Sequence, residues 1–180
     1  MAAARAFVAL GSNLGDRRAH LDAAVAALGR LPGVDVVAAS PVYETAAHTL
    51  DPGEAQPPYL NAVVEVRSDL APEALLAACL EVERAQGRDR RRARRWEART
   101  LDLDLLLYEG ETRSTPDLVL PHPRLAERRF VLQPLCDLAP CLHVPAPFDA
   151  TVADLLAVCP DPDVPARTPQ RLAVPDPDDA

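Results

Sequence analysis

The most informative absence in this 180-residue sequence is lysine, because all 19 residues counted as lysine or arginine are arginine. Without lysine the chain cannot form a Schiff base through an ε-amino group. It also cannot contain a Walker A loop, whose lysine contacts the nucleotide phosphates. If the protein binds phosphates, arginine and a metal ion must supply the positive charge. Arginine suits that role, since its planar guanidinium binds phosphate oxygens in a bidentate manner.

The sequence also lacks any apolar run of about 18 residues, so we expect no membrane span. Its four cysteines form no CxxC pair and have no histidine at zinc spacing. Unpatterned cysteines are typical of reduced thiols, and we therefore expect a cytoplasmic protein. The length allows one domain with its own core and is too short for two.

Hydrophobic periodicity predicts the element order β-α-β-β-α-β. The first three strands are expected at residues 5–10, 34–45 and 59–66, and the two helices at 16–31 and 70–86. The fourth strand contains the aspartates discussed below. Adjacent strands that pair antiparallel, with both helices on one face, predict a ferredoxin-like α+β fold with additions at the C-terminal end.

Those additions follow the fourth strand. We expect a short hairpin within 109–119, a helix after Pro123 and a last short helix, 152–158, capped by Thr151. The domain is expected to occupy residues 1–158. The remaining segment, 159–180, is rich in proline and aspartate, and its composition predicts a disordered tail.

Two aspartates lie one residue apart in the segment RTLDLDLLLY, residues 99–108. Leucines occupy every second position, at Leu101, Leu103, Leu105 and Leu107, and the residues between them are Asp102, Asp104 and Leu106. This alternation is the two-residue period of a strand. Both carboxylates therefore leave one face, with Cα atoms about 6.5–7 Å apart. Like charges at that spacing repel unless a cation or a donor cluster lies between them. Carboxylate oxygens suit Mg²⁺, singly or as a two-metal site. The alternative is an ordinary solvated strand face.

A basic run precedes this strand. Residues 84–99 contain eight arginines and a net charge of +6, whereas the whole chain carries −8. A nucleic-acid binder normally spreads positive charge over a face. A loop that closes over a polyphosphate is the interpretation we favour, because the run leads directly into the aspartate strand. A merely solvated loop and a nucleic-acid contact are the alternatives.

Two further clusters contain polar and aromatic groups. The segment 40–62 includes Thr45, Tyr59 and Asn61, in which an amide could read the edge of a planar heterocycle while a ring stacks on its face. The segment PHPRLAERRF places His122 between two prolines, followed by Arg128 and Phe130. Each cluster also has a plain structural interpretation, as a strand start and as a helix entry with solvated arginines.

Taken in order, these motifs resemble the family of 6-hydroxymethyl-7,8-dihydropterin pyrophosphokinases of folate biosynthesis. The similar segments are VALGSNLGDR (8–17), SPVYET (40–45), QPPYLNAVVEV (56–66), EVERAQGR (81–88), RTLDLDLLLY (99–108) and LPHPRLAERRFVLQPL (120–135). The likeness extends over most of residues 5–158. It implies an ATP- and magnesium-dependent enzyme that transfers the pyrophosphoryl group of ATP to the pterin hydroxymethyl oxygen and releases AMP.

The resemblance also implies roles for individual residues. Asp102 and Asp104 would hold two Mg²⁺ ions and, with Arg88 and Arg99, form the catalytic set. The remaining roles are ATP binding by Arg88, Arg99, His122 and Arg128, pterin binding by Thr45, Tyr59, Asn61 and Phe130, and a position on a mobile loop for Trp96.

The expected partners are small molecules, with no nucleic acid and no membrane, and the expected state is a monomer. A nucleotide-binding module without catalysis and a nucleic-acid binder are the alternatives that biochemical tests would separate.

Overall fold

The computed structural model describes residues 3–47, 56–87 and 99–175. The strands of this part of the chain are β1 (Ala4–Ser12), β2 (Val34–Ala39), β3 (Pro41–Thr45), β4 (Tyr59–Ser68), β5 (Asp102–Tyr108), β6 (Arg113–Ser114), β7 (Val119–Leu120), β8 (His143–Val144), β9 (Ala150–Thr151) and β10 (Ala166–Arg171). The helices are α1 (Arg17–Gly29), α2 (Pro72–Ala85), α3 (Arg129–Leu138) and α4 (Val152–Ala157), with a 3₁₀ turn at Leu125–Glu127.

The main sheet is antiparallel, and its strands lie in the order β10-β3-β4-β1-β5, with β2 also paired to β4. The α+β fold class is confirmed, and the predicted order β-α-β-β-α-β differs from the structure only in that the second strand is divided in two. Helices α1 and α2 pack on one face of the sheet, where Leu21, Leu28 and Leu75 are fully buried. Burial of apolar side chains at helical spacing is what holds them there.

The opposite face of the sheet carries a second helical layer. Helices α3 and α4 cover part of it, burying Leu132, Leu135 and Leu155 against Phe7 and Val63 of the sheet. The C-terminal additions therefore complete a second core. They leave the end of this face near the start of β5 open, and that opening is where the aspartate pair projects.

The single strand expected at 34–45 is two strands separated at Ser40. The Ser40 hydroxyl accepts a hydrogen bond from the Val63 N–H at 2.9 Å, while the Ser40 N–H donates to the Val63 carbonyl at 2.9 Å. Pro41, which has no N–H to donate, follows immediately. The chain therefore bends at this point, and β2 and β3 both remain paired with β4.

The alternation predicted for β5 fails at its end. Phe7 pairs with Leu107 but the next residue, Val8, pairs with Leu105, so Leu106 is an extra residue in a β-bulge. Leu107 consequently packs in the core beneath α3 and α4, opposite to the face predicted for it, and Tyr108 takes the α1/α2 side. The bulge lies after the aspartates and leaves their orientation unchanged.

The tail also differs from the prediction of disorder. Residues 166–171 form β10, which pairs antiparallel with β3 at the sheet edge. Thr151 caps α4 as predicted, because its hydroxyl accepts from the Asp154 N–H while the Asp154 carboxylate accepts from the Thr151 N–H.

Within the described ranges, no helix has the length and apolar character that crossing a membrane requires.

Candidate active site

A cavity of about 210 Å³ opens on the sheet face that carries the aspartates. Its floor comes from β1, which lies between β4 and β5 and has the small residues Ala9 and Gly11 beside their cross-strand partners Asp104 and Asp102. Larger side chains at these two positions would fill the space. A Cβ on Gly11 would lie 3.3 Å from the Asn61 Oδ1 atom, tighter than ordinary contact. The cavity therefore exists because the residues of β1 on this face have small side chains or none.

Both aspartates enter the cavity from β5, as the two-residue period predicts. Each is paired with an arginine: Arg99 donates to Asp102 Oδ2 at 2.6 Å, and Arg128 donates to Asp104 Oδ2 at 3.2 Å. The carboxylates retain 22% and 32% of their side-chain exposure, so both stay accessible from the cavity. Opposite charge on the guanidiniums offsets the repulsion between the two acids.

The charge of the cavity wall differs from that of the molecule. Its charged residues are three arginines and two aspartates: Arg99, Arg124, Arg128, Asp102 and Asp104. The chain as a whole carries −8. Among the described residues, Arg99 Nε is also a buried donor without a hydrogen-bond partner. A net positive wall with an unused donor is suited to an anionic ligand.

The other end of the cavity is aromatic and amide in character. Thr45 of β3 and Tyr59 of β4 are cross-strand partners, and Asn61 donates from Nδ2 to the Thr45 Oγ1 at 2.8 Å. Phe130, at the start of α3, lines the same cavity. The structure thus brings the four predicted heterocycle-binding residues together. A planar ligand could stack on the rings while the amide contacts its edge.

The turn after β1 holds the entrance segments in place. The buried Asn13 accepts the Arg99 N–H at 2.6 Å and donates to the Pro57 carbonyl at 3.3 Å. Arg17 donates to Glu44 at 2.9 Å and to the Pro58 carbonyl at 2.7 Å. These bonds fix the residues just before Thr45 and Tyr59, although the sequence analysis assigned neither side chain a role.

His122 lies beside the site but not among the residues that line the cavity within the described chain. Its Nδ1 accepts the Arg124 N–H at 3.1 Å, which leaves the proton of the neutral ring on Nε2. Burial lowers the pKa of His122, and the positive charges of Arg128 and Arg124 act in the same direction, against the opposing effect of Asp104. His122 is therefore a neutral imidazole with one N–H to donate.

Sequence reasoning also missed Glu83, a carboxylate that is only 1% exposed. It lies on α2, and its Oε1 accepts the N–H of Leu103 at 2.7 Å, the residue between the two aspartates. Its spacing was an available signal, because 75, 79 and 83 repeat every four residues and the first two positions are buried apolar ones. A charge at the next core position of such a series indicates a specific partner.

Two predicted residues cannot be placed. Arg88 and Trp96, together with most of the arginine run, lie outside the described residues. Arg99, the last arginine of the run, is described and lines the cavity.

The carboxylates suit one class of metal ion. No group of three or more histidine, cysteine, aspartate or glutamate side chains converges as a metal cage in the described part of the chain. Two aspartates alone fit Mg²⁺, which keeps several waters and takes other ligands from substrate phosphates. The donor set therefore agrees with a magnesium–phosphate site and not with a protein-only metal centre.

Comparison with protein families gives a match to the one described as 7,8-dihydro-6-hydroxymethylpterin-pyrophosphokinase (HPPK), over residues 7–140. The 2-amino-4-hydroxy-6-hydroxymethyldihydropteridine pyrophosphokinase of Methylorubrum extorquens is 46% identical over 141 residues, covering 78% of this chain and 85% of the relative. The protein of the same name from Pseudomonas aeruginosa is 44% identical over 156 residues, covering 87% and 92%.

Solved structures support the fold. The crystal structure of wild-type Plasmodium falciparum HPPK-DHPS with pteroate aligns with a TM-score of 0.64 at 14% identity, covering 86% of this chain and 42% of that chain. A crystal structure of HPPK-DHPS in complex with substrates aligns with a TM-score of 0.63 at 12% identity, covering 86% and 43%. This chain thus spans less than half of those two-part proteins, and the likeness concerns the fold alone.

Proposed function

Because this chain belongs to the 7,8-dihydro-6-hydroxymethylpterin-pyrophosphokinase family, we propose that its cavity is the site at which the pyrophosphoryl group of ATP is transferred to the hydroxymethyl oxygen of the pterin, with release of AMP. The chain is accordingly a diphosphotransferase of folate biosynthesis. One observation carries the assignment of the site: an aspartate pair with its arginines and an aromatic–amide cluster line one and the same cavity.

The pterin is assigned to the aromatic end. Tyr59 and Phe130 would contact the two faces of the bicyclic ring, and Asn61 would pair with its polar edge. The bond from Asn61 to Thr45 supports this assignment, because it holds the amide plane in one orientation before the ligand arrives. A preoriented amide loses less freedom on binding than a mobile one.

The triphosphate is assigned to the charged end. Mg²⁺ bound by Asp102 and Asp104 would neutralise phosphate charge and hold the triphosphate in one geometry. Arg99 and Arg128, which now pair with those carboxylates, would donate to phosphate oxygens, and His122 would donate from Nε2. Arg88 and Trp96 keep the roles that the resemblance implies, phosphate contact and a place on a closing loop.

The chain promotes transfer mainly by positioning and by charge. The hydroxymethyl oxygen forms a bond to the β-phosphorus and gives up its proton to water, while the bridge between the α- and β-phosphates breaks and AMP leaves with the bridging oxygen. Arginine donors stabilise the negative charge that develops on that oxygen. Holding both substrates in line across one cavity supplies the remaining acceleration by proximity.

The proposal also covers metal count, assembly and compartment. We propose two Mg²⁺ ions, a monomer and a cytoplasmic location. The free state of all four cysteines agrees with a reducing compartment. Light scattering after gel filtration tests the monomer, and titration with Mn²⁺ followed by electron paramagnetic resonance counts the metal sites.

The decisive experiment measures the nucleotide product. Purified protein with Mg²⁺, ATP and hydroxymethyldihydropterin is expected to form AMP in a one-to-one ratio with pterin diphosphate, and no AMP when the pterin is omitted. ADP as the pterin-dependent product would refute pyrophosphoryl transfer. ATP binding without any pterin-dependent turnover would identify a nucleotide-binding module instead.

Variants of the aspartates test the site itself. Asp102→Ala and Asp104→Ala are each expected to lower kcat by about a hundredfold or more, because charge stabilisation in phosphoryl-type transfer depends on the metal. Asp22→Ala is the matched control, since Asp22 pairs with Arg18 on the exposed side of α1. Near-normal rates in both site variants, with unchanged circular dichroism, would place the metal elsewhere.

A further inference from the structure

We infer that residues 159–175, here called the strap, position the two walls of the pterin end of the cavity. The strap begins beyond residue 140, where the family match ends. It follows α4, passes the start of α3, pairs with the edge of the sheet and ends against α1. The inference rests on the proposed function for the identity of the ligand, but its structural part stands on the contacts below.

The first contact is at the N-terminus of α3. This helix has no side-chain cap of its own, and the Asp161 carboxylate of the strap accepts the Arg129 N–H at 3.1 Å. The Arg129 side chain returns two bonds, to the carbonyls of Asp161 at 2.9 Å and Cys159 at 3.2 Å. A carboxylate at this position satisfies a free N–H and interacts favourably with the helix dipole.

That contact is immediately next to the cavity. Arg129 lies between Arg128, which pairs with Asp104, and Phe130, and both neighbours line the cavity. Phe130 lies in the first turn of the helix that Asp161 caps, whereas Arg128 precedes that turn and is held separately by its bond to Asp104. Loss of the cap would therefore loosen an aromatic wall of the pterin end without removing any group that touches a substrate.

The second contact is along β3. Ala166 pairs with Glu44 and Arg167 with Tyr43, and the Thr168 hydroxyl donates to the Val42 carbonyl at 2.9 Å. Strand β3 is short, and Thr45 at its end is the opposite wall of the pterin site. Without the strap, β3 would be an edge strand whose outward groups bond only to water.

The third contact closes the strap on the other side of the sheet. Leu172 is 7% exposed and belongs to the core under α1 and α2. Pro175 contacts α1 so closely that a Cβ on Gly29 would lie 2.9 Å from its Cγ. The strap thus joins the α3/α4 layer to the α1/α2 layer across the edge of β3, and both pterin walls are tied to one segment.

The experiment compares Asp161→Ala with Asp161→Asn. The alanine variant is expected to remain folded and to raise the KM for the pterin about fivefold, in line with the value of a helix cap, while the KM for ATP and kcat change less than twofold. Asparagine still accepts the Arg129 N–H and should restore the pterin KM. Equal changes in both KM values, or no change in either, would overturn the inference.

A pair of truncations gives a second comparison. Removal of residues 159–180 should raise the pterin KM more than Asp161→Ala does, whereas removal of 176–180 alone, which leaves the strap intact, should match the full chain. If the larger truncation does not fold, Asp161→Ala alone decides the question.

Hydrogen exchange separates this inference from the proposed function. In the absence of any substrate, Asp161→Ala should speed amide exchange at the start of α3, residues 131–133, and leave α2 unchanged. Unchanged exchange at 131–133 would refute the strap even if the enzyme is active. Failure of the full chain to form AMP, with faster exchange in the variant, would refute the proposed function and not the strap.

Discussion

Glu83 illustrates how one side chain can set the geometry of a site that it does not touch. Strand β5 is at the sheet edge, so the outward N–H of Leu103 has no strand partner, and the Glu83 carboxylate accepts it instead. The same carboxylate and Asp104 add to the effect of burial in raising the pKa of the Cys79 thiol to about 12. A buried acid is expensive to desolvate, and the hydrogen bond from the Leu103 N–H offsets part of that cost.

Glu83→Ala is therefore expected to destabilise the protein by about 1–3 kcal/mol, the penalty for leaving a buried donor unsatisfied. It should also weaken Mg²⁺-dependent activity, because the aspartates on either side of Leu103 lose their fixed spacing. Urea unfolding and a magnesium titration of the rate measure the two effects.

Glu83→Gln, which keeps an acceptor oxygen, should recover most of the lost stability. Glu81→Ala on the same helix is the control, because Glu81 is exposed and pairs only with Arg84 among the interactions described for it. A Glu83→Ala protein as stable and as active as this control would show that the bond to Leu103 has no positioning role.

Tyr43 joins β3 to α3 and gives a pH-dependent test of that contact. Its hydroxyl donates to Asp137 Oδ2 at 2.5 Å, and burial, followed by this bond, raises the pKa of Tyr43 to about 12. The ordinary value is 10.0, so between pH 10 and 12 the folded protein holds a proton that the unfolded chain releases. The stabilisation is complete below pH 10 and is lost as the pH rises towards 12.

Ultraviolet titration of the folded protein should accordingly show an ionisation step near pH 12 that belongs to Tyr43. Tyr43→Phe should remove that step and flatten the fall in stability between pH 10 and 12. Tyr108→Phe is the control, because Tyr108 lies away from the cavity, whereas Tyr59 lines it. A Tyr43→Phe protein that keeps the late-ionising tyrosine would reassign the pKa.

At the scale of elements, the sequence predicts the helices and strands whose buried apolar residues recur at a regular spacing. Helices α1 and α2 and strands β1 and β4 follow apolar periods that no distant contact interrupts, and they were predicted within a few residues. Two of the differences from the prediction lie where strand pairing is irregular. Ser40 replaces a ladder bond with its side chain, and Leu106 is extra relative to β1. Both depend on a partner strand, which a single segment does not contain.

The tail shows the same limit in a stronger form. Its composition is typical of disorder, yet Leu172 enters the core and Thr168 bonds to Val42, 126 residues earlier in the chain. The local sequence shows the high proline and aspartate content of the segment. It does not show the core and the edge of β3 against which the segment packs. Order in such a segment comes from long-range contacts that outweigh a weak local preference.

Helix α4 offers a local test, because its stability depends on a short-range cap. Thr151 and Asp154 form a capping box with the two reciprocal bonds. Thr151→Ala should lower the free energy of unfolding by about 1 kcal/mol, and Thr151→Ser should restore most of it. Because α4 packs on α3 in the core away from the cavity, the pterin KM should be unchanged in both variants. Chemical denaturation and steady-state kinetics measure the two quantities; a larger KM in Thr151→Ala alone would link α4 to the site.

At the scale of the molecule, the site combines parts from five separate stretches of the chain, residues 9–11, 45–46, 59–62, 99–104 and 124–131. The two-residue period placed Asp102 and Asp104 on one face, and the structure agrees. The arginine partners, the capping of Phe130's helix and the bonds from Asn13 to Pro57 and Arg99 depend on how those regions pack. The assignment of pterin and phosphate contacts to individual residues remains a prediction, for which the shared cavity is the support.

An acidic protein that binds a polyanion should depend strongly on the metal that lowers the ligand's charge. The chain carries −8, and the cavity wall offsets this only locally. An ATP analogue with a methylene group in place of the α,β-bridging oxygen cannot undergo the proposed cleavage, so its effect reports binding alone. At a hundred times its Kd, such a ligand stabilises the folded state by about 2.7 kcal/mol. For a chain of this size that corresponds to a rise in Tm of about 5–10 °C.

With Mg²⁺ present, the wild-type protein should show this rise, and chelation of the metal with EDTA should remove most of it. The double variant Asp102→Asn with Asp104→Asn should respond weakly under both conditions, because the arginines alone remain to hold the phosphates. Asp22→Asn should behave as the wild type, since Asp22 pairs with Arg18 on α1. An equal rise in Tm with Mg²⁺ and with EDTA would mean that the carboxylates bind no metal on the nucleotide, and that the arginines bind the triphosphate by themselves.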